Sequence, residues 1–414
     1  MKFASTLAIA AAMTIAAHAP AAAQEGAPGP QQDPYIWLEQ ARSEQALAWV
    51  RKENEKTLAV LAKDPRFETL KAEALAIYDN EARIPYVSFR SDGLYNFWQD
   101  KQNPKGLVRR TTLASYRSAT PQWETVLDID ALAKAEGREW VYKGMTCLPP
   151  EETRCMVALS DGGKDATVLR EFDTTTKSFI AGGFTLPESQ GGIEWLDQDT
   201  LLVNRDFGKG TITESEYPFT TRLWKRGTPI ERAPEIFRGD VKDVWAGAGL
   251  LRDKAATIHA PTASRALSFF ASDHFVWKDD AWLKLDMPKK ASIFGIVDDK
   301  LLFSTDVDWT AGATTFPADS LVAVDLAEWK ADPNGAKKTL VWAPGERQTR
   351  QGAAITSDSL YVGLLDNVRG KVIKLDFADG AWKQAPVPLP EDATIGIVSA
   401  ADTTDEVMFS VSDF

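Results

Sequence analysis

Apolar and polar positions along this chain follow two rhythms. Between Asp33 and Asn80 they recur every three to four residues. Trp37, Leu38, Ala41, Leu47, Val50, Leu58 and Leu61 share that spacing, and Asp33-Pro34 reads as a cap followed by a first turn. Asp64-Pro65 interrupts the pattern once, and a further helix reaches about Tyr78. The span 33–80 is therefore predicted to be helical. After Arg83 the rhythm changes to short alternating runs such as "TVLDID", "RCMVALSDG", "TVLREFD" and "TTRLWKRG", joined by Asp, Gly and Asn. Those are strands and their turns.

A weak repeat runs through the second region. "WLDQDTLLVNRDF", "IVDDKLLFSTDV", "ITSDSLYVGLLD" and "DTTDEVMFSVSD" share an acidic or polar turn, an apolar strand, then Ser or Asn with Asp. The strands begin at Leu201, Leu301, Leu360 and Val407, spacings of 100, 59 and 47 residues. A unit of about 50 residues fits, with one unrecognised copy in the first gap, and in an all-β chain such a period is a four-stranded propeller blade. Dividing 81–414 by that unit predicts an all-β, seven-bladed β-propeller, with closure of the ring left open. The plainer alternative is a multi-sheet β protein with repetitive hairpins.

Composition changes the picture at the N-terminus. "MKFASTLAIAAAMTIAAHAPAAAQ" has Lys2, an apolar run and Ala21-Ala22-Ala23 before Gln24. Residues 1–23 thus read as a secretory leader and 24–32 as a Pro/Gly-rich lead-in. The expectation is a periplasmic or secreted protein without a membrane span. Loss of Lys2 with the leader moves the formal charge from −12 to −13. Such an acidic chain without a basic patch argues against a nucleic-acid partner. Export also permits a disulfide. Cys147 and Cys155 flank "LPPEETR", a turn that sets them opposite each other across a hairpin. A disulfide is the first reading and two packed thiols the alternative.

Candidate chemistry is sparse. No serine has the G-x-S-x-G surroundings of a hydrolase nucleophile, and Ser160 in "ALSDGGKDA" only imitates them. His259 and His274 lie in or beside β-runs and read as structural. No Cys/His cluster or calcium loop marks a metal site, and "FGKGT" (Phe207 to Thr211) is a turn, not a phosphate cradle. The acid pairs Asp128/Asp130 and Asp298/Asp299 sit in turns, where solvated surface outweighs a glycosidase dyad. The residues alone assign no catalytic, cofactor or metal site.

Several blocks resemble the prolyl oligopeptidase family of serine peptidases. "DPYIWLEQ" with "ALAWVRKEN" is similar to that family's opening. "YNFWQDKQNPKGLVRRTTLASY" is similar to its first propeller strands, and "CLPPEETRCMVALSDGGKDATVLREFD", "WLDQDTLLVNRDFG" and "YPFTTRLWKRGTP" continue the match in order. The resemblance implies a helical segment and a seven-bladed propeller that covers an α/β-hydrolase domain. That domain carries a Ser/Asp/His triad and cleaves short peptides, typically after proline. No residue here corresponds to the triad, so the resemblance implies a substrate-gating portion that is inactive alone, with "EVMFSVSDF" close to the crossover into the hydrolase domain. Trp37, Leu38, Trp49 and Val50 are then expected to dock against a separately supplied hydrolase domain. The alternative is a stand-alone exported propeller that binds a peptide or protein ligand.

Overall fold

The computed structural model describes residues 33–40 and 43–413. The expected leader and lead-in lie outside the described residues. Contacts divide the chain into two compact units, the first ending at Tyr78 and the second running from Asp79.

In the first unit a 3-10 turn, Ile36–Glu39, precedes helices α1 (Glu44–Leu61) and α2 (Phe67–Tyr78). Helix α1 starts at Ser43, whose hydroxyl accepts the Ala46 N–H at 3.1 Å, rather than at Asp33-Pro34. The Asp64-Pro65 interruption separates the helices, and Asp64 accepts the Arg66 backbone and guanidinium there. Ala46 is the one buried residue of α1, and α2 has none.

The second unit is a ring of antiparallel sheets. Six have at least four strands, and their first strands are Ser88–Arg90, Trp140–Cys147, Gly191–Asp197, Trp245–Arg252, Ala291–Val297 and Gln348–Ile355. They define blades 1 to 6. Blade 2 adds a fifth strand, Thr185–Ser189, and blade 5 carries an inserted hairpin, Trp309–Ala311 with Thr314–Phe316. Among the described residues two strands follow blade 6: Thr394–Ala400 and Val407–Ser412. The seven-bladed expectation is therefore corrected to six blades and a two-stranded sheet. Dividing length by period counted the last stretch as a full blade, although its described residues form two strands, and spread the insertions of blades 2 and 5 over the count.

Each first strand from blade 2 onward packs against the next, and Thr394–Ala400 packs against the first strands of blades 6 and 1. That arrangement places the first strands around the axis. Between sheets lie the cores. One joins blades 4 and 5 through Leu251, Val276, Leu301, Phe303 and Trp329. Another joins blades 5 and 6 through Leu302, Val341, Leu360 and Val362. Burial of a large aliphatic or aromatic side chain contributes about 1.5–3 kcal/mol, so these seams dominate the ring's stability. Turns use the residues their geometry demands. Asp298-Asp299, both at positive φ, close the two-residue hairpin between Val297 and Lys300.

Candidate functional site

Two places in the ring concentrate polar chemistry, and the first is the end of the axis where first strands turn into second strands. Lys254, after the first strand of blade 4, donates to the Ser357 carbonyl at 2.9 Å and to Asp358 Oδ1 at 2.6 Å, both in the corresponding turn of blade 6. Ser357 donates its N–H to the Thr404 carbonyl at 3.0 Å and its hydroxyl to Asp405, in the turn of the two-stranded sheet. These turns strap three sheets together over the axis. Acids surround the strap. Burial, with the Asp253 charge beside it, raises the Asp402 pKa above the ordinary carboxylate range. Burial and the neighbouring Asp358 raise Asp298. Burial acts upward on Asp253 too, but the His259 ring at 2.8 Å and the N–H groups of Thr257 and Ala255 outweigh it and hold the group low.

The second place is a cavity of about 380 Å3 at the seam of blades 2 and 3, lined by Leu186, Pro187, Arg205, Phe207, Arg222 and Ile230 among others. Leu201, Val203 and Arg205 share one face of their strand, and register sets Arg222 opposite Val203. Arg205 is 2% exposed. Its guanidinium donates to the carbonyls of Thr167, Pro187 (2.8 Å) and Gly191 (3.3 Å) and has no carboxylate partner among the described residues. Burial lowers its pKa to about 10, so the group stays charged at neutral pH. Gly191 is required here: at φ +93° a Cβ would lie 2.0 Å from the Asn204 carbonyl oxygen. Arg222 stacks over Phe207, 4.2 Å from the ring centroid. Two guanidinium groups and an aromatic face suit carbonyl or carboxylate oxygens.

The sequence-predicted residues fall elsewhere. Cys147 and Cys155 stand directly opposite in blade 2, Cα atoms 3.9 Å apart, and form a disulfide. Arg90 donates to Cys147 Sγ at 2.7 Å and lies over the Tyr95 ring. In the helical unit Trp37 and Trp49 meet edge to face, centroids 6.4 Å apart, with Tyr35 equally near Trp49. Leu38 is half-buried, and Trp49 and Val50 are 37% and 43% exposed. Ser160 is buried and closes its own turn by donating to the Lys164 carbonyl at 2.7 Å. His274 contacts Ser264 Oγ through Nδ1 and the Ala291 carbonyl through Nε2, each at 2.9 Å. The ring nitrogen opposite the serine thus meets a backbone carbonyl instead of a carboxylate, unlike the acid–histidine–serine order of a triad. Asp128 caps the helix Ile129–Glu136, and Asp130 accepts the N–H groups of Lys105 and Gly106, so this acid pair is structural. Among the described residues no acidic, histidine or cysteine cluster is arranged to hold a metal ion, and no helix is long and apolar enough to cross a membrane. Sequence reasoning missed the Arg205 cavity, although an arginine at an inward position of "LLVNRDF" was its signal.

Comparison with known proteins gives one pattern. The family described as prolyl oligopeptidase, N-terminal beta-propeller domain, matches residues 16–414. An uncharacterized peptidase of Sinorhizobium fredii is 39% identical over 381 residues, covering 91% of this chain and 52% of its own length. One from Rickettsia prowazekii is 27% identical over 391 residues, covering 91% and 54%. Among solved structures, a post-proline cleaving enzyme from Rickettsia typhi superposes with a TM-score of 0.82 at 27% identity, covering 91% of this chain and 56% of that one. Oligopeptidase B from Leishmania major, at 13% identity and a TM-score of 0.65, shares the fold. The chain spans about half the length of the curated relatives it matches.

Proposed function

This chain belongs to the prolyl oligopeptidase family through its N-terminal β-propeller domain, and from that premise we propose that it is the substrate-gating portion of a serine endopeptidase acting on short peptides, inactive on its own. The observation that carries the reading is the ring itself. Its first strands surround an axis, and turns from three sheets are strapped across one end of that axis. A strapped ring next to a hydrolase domain would admit small peptides and exclude folded proteins. The Arg205–Phe207–Arg222 cavity offers guanidinium donors and an aromatic face to peptide oxygens.

In this reading the triad resides on an α/β-hydrolase domain, against which Trp37, Leu38, Trp49 and Val50 dock. Support comes from the apolar surface of the helical unit, where Val50, Leu58, Val60 and Ile77 are all exposed. That surface favours docking over the stand-alone ligand-binding propeller. Export to the periplasm or beyond the cell is part of the same proposal, and the Cys147–Cys155 disulfide agrees with it. The test is hydrolysis of a fluorogenic Gly-Pro-coumarin amide by the purified chain, with labelling by a serine-reactive phosphonate. No turnover and no labelling is the expected outcome. Turnover accompanied by a labelled serine would overturn the reading.

A further inference from the structure

We propose that the cavity between blades 2 and 3 binds the free C-terminal carboxylate of a short peptide. The carboxylate sits on the Nε/Nη2 edge of Arg222 beside Arg205, and the last side chain packs against Leu186, Phe207 and Ile230. The inference rests on the reading above only in taking short peptides as ligands; it concerns binding and needs no catalysis.

The repeat does not require a charge at Arg205. Counting four residues on from Leu301 and Leu360, as Arg205 is from Leu201, reaches Thr305 and Leu364, both buried and neutral. Blade 2 builds the facing wall with its fifth strand, Thr185–Ser189. There the Pro187 carbonyl accepts from Arg205, and Ser189 Oγ accepts the Asp206 N–H at 3.0 Å. These contacts fix the guanidinium without neutralising it, and a charge buried without a counter-charge is costly. Elsewhere between the same blades the arginines are neutralised: Arg154 and Arg226 both pair with the buried Glu171.

Arg222 keeps one edge free. Its Nη1 donates to the carbonyls of Ile230 (3.4 Å) and Glu231 (3.3 Å), and the Phe207 ring lies flat against the guanidinium. No hydrogen bond among the described residues uses its Nε or Nη2, the side-on fork that matches two carboxylate oxygens. The Nε of Arg205 has no partner either. Buried donors are normally satisfied, so two unsatisfied ones at a single cavity point to a ligand.

The lining selects the anion. Its two arginines stand beside three acids, Glu188, Asp206 and Glu231. Glu188 pairs with Lys164 at 2.6 Å, and Asp206 accepts the Gly208 N–H at 2.7 Å. Without a positive excess such a lining disfavours a phosphate dianion, whereas a carboxylate brings a single charge. The apolar residues suit an aliphatic side chain behind it, and about 380 Å3 is within the range of small-ligand sites.

The test is calorimetric titration of the full chain with Ala-Ala-Leu, with its C-terminal amide and with inorganic phosphate. The expected result is one saturable site for the acid, binding of the amide weaker by at least about tenfold, and no displacement by equimolar phosphate. Arg222→Gln should weaken the acid by a similar factor and leave the amide unchanged. Hydrogen exchange on the native chain locates the site without any variant: the acid should slow the amides of segments 185–189 and 205–208 and not those of 360–366. Equal affinity for acid and amide would overturn the proposal, as would no binding at millimolar peptide, phosphate binding as tightly as the acid, or slowed exchange confined to other segments. An Arg222→Gln chain that binds the acid like the native one would do the same. Hydrolysis of the Gly-Pro-coumarin amide bears on the gating reading alone, and discrimination between acid and amide bears on this one alone.

Discussion

The helical unit and the ring are made by different forces. In α1 and α2, 30 residues of helix bury a single alanine. Local devices sustain them: the Ser43 cap, the Arg51–Glu44 ion pair and the i,i+3 pairs Lys56–Glu53 and Lys71–Glu68. Exposed pairs of that kind contribute roughly 0.2–0.5 kcal/mol each. In the ring, seams such as Leu301–Phe303–Trp329 take apolar surface out of water between sheets remote in sequence. An element with sound local signals and no burial is secondary structure waiting for a partner. The seams between the six blades already have theirs.

The comparison breaks if the two regions answer substitution alike. Trp329→Ala, at 1% exposure, should cost the ring about 3–5 kcal/mol by denaturant unfolding. Leu58→Ala, in exposed α1, should change stability by less than about 0.5 kcal/mol. Next comes the disulfide. Replacing Cys147 and Cys155 by serine removes a short-loop cross-link and should cost about 2–3 kcal/mol at most. Reductant should then leave the variant's melting temperature unchanged while lowering that of the native chain. Third, Ser43→Ala should cost about 1 kcal/mol and appear only in the helical circular-dichroism signal. Loss in the β signal too would mean the units unfold as one.

The smallest effect is electrostatic. The folded pKa of Asp402 is raised, so between its unfolded and folded values the native state holds the extra proton. Its penalty is therefore full at neutral pH and fades as pH falls through the raised value. Asp402→Asn should give a slight gain in melting temperature at pH 7 that disappears below about pH 4. A gain that grows on acidification would show that the carboxylate is stabilised in the fold.

Legibility in the sequence followed the same division. The repeat found second strands, since Leu201, Leu301, Leu360 and Val407 all start or nearly start one. The unrecognised copy is Ile258–Ser268 in blade 4, hidden because its turn reads Asp-Lys-Ala-Ala, with Ala256 at positive φ, rather than a run of acids or amides. Helix Leu326–Ala331 was legible in retrospect: Asp325 caps it and Glu328 stands three residues on, as in a capping box. The helical start was misplaced because Asp33-Pro34 and Ser43 both resemble caps, and only Ser43 meets an N–H in an α-helix. The Arg205 cavity was beyond a single-strand reading. Its geometry needs Thr167 and Pro187 from the neighbouring blade, a contact that alternation along one strand does not encode.

The two-stranded sheet has a mechanical consequence as well. Among the described residues its blade 1 side is fastened by the Phe89 N–H on the Ser399 hydroxyl and the exposed Arg117–Glu406 ion pair, whereas blades 4 and 5 share a buried aromatic seam. Strain applied to the circle therefore concentrates at the thin join. The circle behaves like a split washer: it can widen its bore there while every strand of the six blades keeps its ladder.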